Sequence, residues 1–476
     1  MTWQDSRATD PDGRVRRTGV RQTGVGRPAA GRTGPARLLA LAGLAAGAAV
    51  ALPAPAAHAA TLPVACSAPA LVAAINTANS QPGADTLSLA VGCTYTLVAA
   101  DHAANGLPAI SSEITVNGNG ATITRAPTAP AFRILFVAGA GNLTLNNATI
   151  SGGRAETDCQ EIPGISCGGG ISSLGTLTVN NSRVRDNTAT SAEFAQGGGI
   201  DSAGTGTLNN VEVSGNTAAY TGDALEGAAA GAGVANDGPL TVTNSRLHHN
   251  AVTVTADRKS VAFGAGLAAF AQTTVTNGTI DDNRVSAPGG IARAALTNAA
   301  PMTVTGTVVR NNSASAPGGD AQGGGVATNT TLSLSATQVS GNLSSAPGGT
   351  ALSGGIQVGA SGALTLNRSI VQGNTAAGGT ARGGGIANAT GGTVTATQST
   401  IGGNTAVATG GTAQGGGIFT GVGATNLSLS SVTGNRAGDG GGIYEASGTV
   451  TLTGTSVKTN VPNNCAPPGS VPTCVG

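Results

Sequence analysis

The sequence is poor in aromatic and charged residues. Of its 476 residues, 2% are aromatic and 9% are charged, and the formal net charge is +1. A chain this neutral lacks the basic field that steers proteins to nucleic acid, so we expect no nucleic-acid partner. The scarcity of aromatic rings argues against an ordinary globular enzyme, whose core usually contains such side chains. A hydrophobic share of 39% also excludes a highly charged disordered chain.

Several motifs of enzymes and of helical repeats are missing as well. There is no GxSxG nucleophile elbow and no Walker or dinucleotide fingerprint. No CxxC-type spacing with a nearby histidine points to zinc. No helical period is sustained along the chain, which excludes ankyrin, tetratricopeptide and HEAT arrays. A catalytic triad, a nucleotide site and a structural zinc are therefore not supported.

Residues 1–59 predict a secretory signal peptide with a long basic n-region. Eight arginines precede the uncharged run Leu38–Leu52, and the small-residue site Ala57-His58-Ala59 follows. This run is shorter than the ~20 residues that a membrane span needs, so we expect cleavage after Ala59 and no span in the mature chain. Residues 60–476 carry 15 basic and 19 acidic residues, which makes the predicted mature protein mildly acidic.

All six cysteines follow this leader and fall into three close pairs. In an exported chain, an even number of cysteines indicates disulfides, and we expect nearest neighbours to pair. The predicted bonds are Cys66–Cys93, Cys159–Cys167 and Cys465–Cys474.

One phrase recurs about every thirty residues. It consists of Leu-Thr-Val, then Val or Ile, then Asn, then a glycine-rich run such as Gly383-Gly384-Gly385-Ile386. The glycine run is degenerate once, at Arg293–Leu296. Successive asparagines are 25 to 34 residues apart. They are Asn187, Asn216, Asn250, Asn283, Asn312, Asn342, Asn374, Asn404, Asn435 and Asn460.

This repeat predicts an all-β parallel β-helix, a single-stranded solenoid. Alternation such as Leu177-Thr178-Val179 is typical of strands, and each unit has room for about three of them. The asparagine amides would stack from coil to coil and satisfy backbone groups, while the glycines would supply positive φ. We expect an N-terminal cap and first coils at 60–125, repeats at 126–460 and a C-terminal disulfide loop at 461–476.

The N-terminal segment also predicts a short capping helix. Ser67 can cap a helix whose apolar face carries Leu71, Ile75 and Ala78. Together with Cys66, Gly92-Cys93-Thr94-Tyr95 and Asn117-Gly118-Asn119-Gly120, this segment resembles the cap of secreted bacterial right-handed parallel β-helix repeat proteins.

The repeats themselves resemble those of polymorphic outer-membrane proteins, in the GGGI phrases and in phrases such as Ser214–Thr217. The resemblance covers nearly all of 60–476 and implies a right-handed, pectate-lyase-like fold in the extracellular space. It implies little about activity, because this fold hosts lyases, hydrolases, adhesins and scaffolds.

Charged residues concentrate in two columns when the coils are aligned on the ladder asparagine. The signs alternate along the columns, as they do in cross-strand pairs on a solvated sheet, and this is the interpretation we favour. Two positions before the asparagine stand Arg185, Ser214, His248, Asp281 and Arg310; four positions before it stand Arg183, Glu212 and Arg246.

The alternative interpretation of these columns is a site for an acidic polysaccharide. Asp281 and Asp282 would bind calcium there, and Arg310 or His248 would act as the base of a lyase. Against it, Asp281 and Asp282 are neighbours on a predicted strand, so their side chains should point to opposite faces.

Aromatic residues for stacking on sugars are few. Phe194 and Tyr220 fall in predicted loops between coils and are the best candidates for exposed rings.

From these patterns we expect a secreted protein, extracellular or associated with the cell surface, that acts as a non-catalytic scaffold without a cofactor. Its expected partners are polysaccharides or components of the cell surface or matrix. The alternative function is a polysaccharide lyase or glycoside hydrolase that acts on an acidic polysaccharide along one face of the helix. Only this alternative would involve calcium.

Overall fold

The computed structural model describes residues 59–156, 159, 165–222, 227–255 and 260–474. These residues form a nearly all-β, right-handed parallel solenoid of about 11 turns. The predicted fold class is therefore confirmed. The predicted signal peptide, apart from Ala59, lies outside the described residues.

The described part of the chain contains one helix, Ala68–Ser80, which packs on the first coils near the N-terminus. Ser67 caps it, and its Oγ accepts a hydrogen bond from a backbone N–H of the first turn at 3.3 Å. Leu71, Ile75 and Ala78 are buried, so the face predicted to be apolar is the face that packs. The capping helix is confirmed.

The largest sheet forms one long face of the solenoid. In most coils it contains two short parallel strands with a bend between them, and the inward residues are Val, Leu and Ile. These side chains form the main hydrophobic core. The strands are Thr61–Val64, Asp85–Leu89, Thr94–Leu97, Glu113–Arg125, Asn142–Ser151, Thr176–Asn180, Arg183–Arg185, Gly206–Asn209, Glu212–Ser214, Leu240–Thr243, Arg246–His248, Thr273–Thr276, Thr279–Asp281, Met302–Thr305, Val308–Arg310, Thr331–Ser335, Gln338–Ser340, Ala363–Asn367, Ile370–Gln372, Thr393–Thr397, Thr400–Gly402, Ala424–Ser428, Ser431–Thr433, Thr449–Thr453 and Ser456–Lys458.

A second sheet consists of two ladders that pack against each other, and we call this pair of ladders the fin. Most coils contribute an outgoing strand to one ladder and a returning strand to the other. Between the ladders lies a thin second core made almost wholly of alanine. The strands are Arg154–Ala155, Ile165–Cys167, Thr188–Ser191, Phe194–Gln196, Thr217–Tyr220, Ala228–Ala230, Ala251–Val254, Val261–Phe263, Arg284–Ser286, Ile291–Arg293, Ser313–Ser315, Asp320–Gln322, Leu343–Leu352, Thr375–Arg382, Thr405–Ala408 and Ala413–Gln414.

The third sheet closes the main core. Nearly all of its strands begin with an inward Ile, Leu or Val directly after the glycine phrase. The strands are Leu135–Val137, Ile171–Ser173, Ile200–Ser202, Val234–Asn236, Leu267–Ala269, Leu296–Asn298, Val326–Thr328, Ile356–Val358, Ile386–Asn388, Ile418–Thr420, Ile443–Glu445 and Cys465–Ala466.

The ten recurring asparagines form a continuous buried ladder, as predicted. At Asn342, both the backbone N–H and Nδ2 donate to Oδ1 of Asn374, at 3.0 and 2.9 Å, and Nδ2 also donates to the Val309 carbonyl at 3.1 Å. The same pattern repeats from coil to coil. It ends where Nδ2 of Asn460 donates to Oδ1 of Asn464 at 3.1 Å.

A ladder of serine and threonine hydroxyls, which was not predicted, supports the bend in the long face. Oγ of Ser369 accepts from the Thr337 N–H at 3.2 Å and donates to the Leu334 carbonyl at 3.0 Å, and the Ser369 N–H donates to Oγ of Ser399 at 3.1 Å. The sequence signal is a Ser or Thr five residues before the ladder Asn, as in Ser369 and Asn374.

The first glycine of each glycine phrase turns the chain from the fin into the third sheet. Gly323 has a φ of +65°, and a Cβ atom there would collide with the Val326 carbonyl. At the equivalent place in two other coils, Ala294 and Ser353 adopt φ values of +24° and +56°. Arg293–Leu296 is therefore a degenerate glycine phrase in a complete coil.

The three predicted disulfides are present: Cys66–Cys93, Cys159–Cys167 and Cys465–Cys474. The first joins the segment before the helix to the first coils, and the third closes a loop after the last strand. No cysteine among the described residues is free.

Candidate functional site

Neighbouring coils bring the predicted charged columns together on the second strand of the long face. In the strand register, Glu212 lies beside both Arg183 and Arg246, and Asp281 lies beside both His248 and Arg310. The columns predicted from the asparagine alignment are therefore real neighbours. We call the following residues the ion-pair cluster: Arg183, Glu212, Arg246, His248, Asp281 and Arg310.

Asp281 lies at the centre of the cluster and is held by two arginines. Arg246 donates from Nε to Oδ1 at 2.9 Å and from Nη2 to Oδ2 at 2.7 Å, and Nη2 of Arg310 lies 3.5 Å from Oδ2. The Asp281 side chain is only 1% exposed, whereas those of Arg246 and Arg310 are 47% and 49% exposed. Asp281 is thus paired across strands, as in the interpretation that we favour, but the arginine side chains also cover it and exclude water from its carboxylate.

The charge state of Asp281 follows from these contacts. Burial alone would raise the pKa of its carboxyl group, but the hydrogen bonds and charge of Arg246, together with the charge of Arg310, hold the pKa below its ordinary value. The group is ionised at neutral pH, and its oxygens already accept hydrogen bonds from the arginines.

Glu212 makes the second set of contacts in the cluster. Its Oε2 accepts from Nε of Arg183 at 3.0 Å, and its Oε1 lies 3.1 Å from Nε2 of His248. Burial raises the pKa of Glu212, but the hydrogen bonds to His248 and Arg183 bring it below its ordinary value. Ion pairs therefore form between the two columns, as in Glu212 with His248 and Arg246 with Asp281. They also form between neighbours within one column.

Asp282 does not lie on the strand on which it was predicted. The strand Thr279–Asp281 ends before it, and Asp282 lies in the left-handed turn that follows, with φ +55°. Within the described part of the chain, its carboxylate has neither a hydrogen bond nor an ion pair. The opposite-face argument, which assumed two adjacent strand residues, therefore does not apply to it.

One grouping of possible metal ligands occurs among the described residues, and it does not contain Asp281 or Asp282. Ligand atoms of Cys159, Cys167 and Asp201 lie within 4.8 Å of one another. The two cysteines are bonded to each other, so they offer no thiolate to a metal ion.

A depression of about 370 Å³ lies beside the ion-pair cluster. Arg183, Glu212 and Arg246 line one part of it. The remainder is lined mainly by asparagines of the bend in the long face, whose backbone is left-handed. These are Asn147, Asn181, Asn210 and Asn244. The surface next to the cluster is therefore rich in amides that can both donate and accept hydrogen bonds.

The two aromatic candidates do not form an exposed platform. Tyr220 is 1% exposed and belongs to the alanine-rich core of the fin, and Phe194 is half-buried on a returning fin strand. Both residues lie on strands of the fin. The interpretation of Tyr220 as an exposed sugar-stacking ring is wrong.

A buried carboxyl group lies where the fin meets the third sheet, and it was not predicted. Nε2 of Gln196 donates to Oδ1 of Asp201 at 2.8 Å and to Oδ2 of Asp237 at 3.0 Å. Asp201 is fully buried; this burial, together with the negative charge of Asp237, raises its pKa to about 8. Its neighbours in register are Ser172 and Ala235, so no column of acidic residues marks the position in the sequence.

Comparisons with known proteins do not indicate a function for this chain. No family model, curated protein or solved structure matches it. The ion-pair cluster offers carboxylates that are already paired and arginines that are half-exposed. Chemically, this arrangement is suited to holding neighbouring coils together and to presenting positive charge at the surface.

Proposed function

We propose that this protein is a secreted, non-catalytic scaffold that interacts with components of the cell surface or extracellular matrix. The observation that carries the proposal is the state of Asp281, the central carboxylate of the ion-pair cluster. A catalytic base or a metal ligand needs a lone pair that the substrate or metal can reach. The oxygens of Asp281 are buried and are engaged by Arg246 and Arg310.

The proposal of secretion has support of its own. Three disulfides persist most readily in an oxidising compartment such as the extracellular space. Residues 1–59 have the composition of a signal peptide. Among the described residues, no helix combines the length and the apolar character that a bilayer span requires.

The experiment that tests the proposal is an assay of the purified protein on acidic polysaccharides. Polygalacturonate, alginate and glycosaminoglycans are each incubated with the protein and calcium, and unsaturated products are followed by absorbance and new reducing ends by a colorimetric assay. The scaffold proposal predicts no turnover. Turnover by the wild-type protein would overturn it. Loss of that turnover in Asp281→Ala, but not in Asp101→Ala at an exposed position outside the ion-pair cluster, would assign the activity to the cluster.

A polysaccharide lyase or glycoside hydrolase that acts on an acidic polysaccharide is the second candidate. The observation that favours it is the pair of Glu212 and His248 beside the asparagine-lined depression, because a carboxylate and an imidazole can exchange a proton. In that case Asp281 or Asp282 would hold calcium and His248 or Arg310 would be the base. Activity that survives Asp281→Ala but is lost in Glu212→Gln would point to Glu212 and His248.

A further inference from the structure

A cavity of about 670 Å³ lies where the long face meets the beginning of the fin. Its floor includes Thr124, whose neighbours in register are Thr96 and Ser151. Its wall is the first fin ladder, where Arg154 lies beside Thr188. The volume falls within the range of roughly 300–1,000 Å³ that is common for small-molecule sites.

Arg125 lines this cavity and is held rigidly by the backbone. Its Nε donates to the Gly152 carbonyl at 2.8 Å, and its Nη1 donates to the carbonyls of Ala126 and Ala129 at 3.1 and 2.6 Å. Its guanidinium carbon lies 6.0 Å from the centre of the buried Phe132 ring. Nη2 has no hydrogen-bond partner among the described residues, so a fixed cationic donor remains for a ligand.

A second arginine lines the same cavity. The Arg154 side chain is 53% exposed and forms an ion pair with Glu156. Burial and the positive charge of Arg154 lower the pKa of Arg125, and the negative charge of Glu156 opposes this shift. Two cations beside one cavity favour an anionic ligand, and arginine can bind a carboxylate or sulfate group through two parallel hydrogen bonds.

Most of the other side chains in the lining are polar, and none is aromatic; the remainder are Ala126, Pro127, Gly152 and Gly153. Besides the threonines and serine of the floor, Thr190 and Asp186 line the wall. Asp186 is exposed and also contacts Arg185 at 3.1 Å. Hydroxyls and a carboxylate beside a pair of arginines suit a ligand that carries many hydroxyl groups and one negative group.

We propose that this cavity binds an acidic sugar unit of a polysaccharide. The carboxylate or sulfate group of the sugar lies on Arg125 and Arg154, and its hydroxyls bond to Asp186 and the threonine side chains. This inference deepens the proposed scaffold function, on which the choice of a polysaccharide as partner rests. It places binding in a cavity whose lining contains no residue of the ion-pair cluster.

The test is the affinity of the purified protein for three short oligosaccharides of equal length, measured by calorimetry: an oligogalacturonate, a sulfated oligosaccharide and a neutral one. Arg154→Gln removes the exposed cation, and the matched control is Arg368→Gln, an exposed arginine outside the cavity that bonds Gln398. We expect Arg154→Gln to weaken binding of the preferred anionic oligosaccharide about tenfold, because the bond it removes is charge-assisted. Arg368→Gln should leave the affinity unchanged.

A second variant, Thr190→Val, keeps the test valid if Arg154→Gln fails to fold. It removes one hydroxyl from the cavity wall and should weaken binding several-fold. The oligogalacturonate and sulfated probes decide between a carboxylate and a sulfate. Equal binding of the neutral oligosaccharide, no binding of either anionic one, or equal loss in Arg368→Gln would overturn the inference. None of these outcomes touches the scaffold proposal, which only turnover in the polysaccharide assay overturns.

Discussion

Arg246 and Asp281 form a two-bond ion pair that crosses diagonally between neighbouring coils. In the strand register, Arg246 lies beside Thr279 and Asp281 lies beside His248, so the guanidinium group reaches from one column to the other. The carboxylate is buried while the guanidinium group remains half in water. Only the carboxylate therefore bears a full desolvation cost, whereas the guanidinium group avoids part of the cost that a fully buried ion pair incurs.

Asp281→Ala should destabilise the protein at neutral pH. We expect the free energy of unfolding to fall by about 1–3 kcal/mol, less than for a fully buried pair because water can solvate the two freed arginines. The folded-state pKa of Asp281 is lowered, so its contribution is present above the unfolded pKa and disappears as the pH falls through the folded value. Urea unfolding at pH 7 and pH 3 measures both effects.

The matched control for this prediction is Asp101→Ala, because Asp101 is exposed, lies outside the cluster and has no left-handed backbone that alanine would strain. It should change the unfolding midpoint little at either pH. Equal losses in the two variants at pH 7 would contradict the assigned role of Asp281.

Asp201→Asn should change how stability depends on pH. The pKa of Asp201 is raised from 3.8 to about 8, so between these values the folded protein keeps a proton that the unfolded chain has lost. The contribution of Asp201 is therefore full below about pH 4 and is lost as the pH rises towards 8. Asparagine does not titrate and can still accept from Gln196. We expect Asp201→Asn to melt at a higher temperature than the wild type at pH 8, with the difference vanishing at pH 4.

Thermal melts monitored by circular dichroism across pH 4–8 test this prediction. Asp101→Asn, at an exposed position, is the control and should follow the wild type at every pH. A wild-type curve parallel to that of Asp201→Asn across this range would show that Asp201 is ionised in the folded protein.

Asn342→Ala should be among the most destabilising single substitutions in the chain. It removes the amide that bonds both Asn374 and the Val309 carbonyl, and it leaves the N–H groups of Asn312 without their acceptor. Each unsatisfied buried group costs about 1–3 kcal/mol, so we expect a loss of at least ~3 kcal/mol. Asn367→Ala, at an exposed asparagine on the long face, should cost less than ~0.5 kcal/mol. Similar midpoints for the two variants in urea would contradict the structural role of the ladder.

Two glycines with similar backbone angles allow steric and conformational effects to be separated. Gly323 and Gly318 have φ values of +65° and +74°, but a Cβ on Gly323 would collide with the Val326 carbonyl, whereas one on Gly318 would meet nothing within 4 Å. Gly318→Ala should cost only the left-handed backbone penalty of about 1–2 kcal/mol. Gly323→Ala should cost clearly more, as measured by urea unfolding. Equal costs would mean that the chain relaxes around the new methyl group.

The asparagine ladder could be predicted because the same residue returns about every thirty residues from Asn187 to Asn460. The capping helix was predictable for a similar reason, since Ser67 and the apolar positions after it are local signals. The two columns of charge followed from the asparagine alignment, which aligns the strands correctly. Because the motif repeats, the register of neighbouring strands can be predicted from the sequence alone.

Other features depend on side chains that meet only in three dimensions. The alignment predicted Arg310 as the cross-strand neighbour of Asp281, but the sequence contains no signal that Arg246 would reach it diagonally and help to bury its carboxylate. The fin also has no clear signal, because strands such as Ala228–Ala230 and Thr375–Arg382 are built from small residues that are typical of loops. Tyr220 was misread for this reason, since its ring fills a core that the pattern does not reveal.

The stacking of coils has a mechanical consequence. The strands of each coil pair with those of the coils before and after it, so the hydrogen bonds between coils run along the axis of the solenoid. A force that separates the first coil from the last acts on all of these layers in series, so the weakest layer separates first. The protein should yield in steps of one coil, and each step would release a length of about thirty residues, so that a tether made of it would lengthen gradually under load.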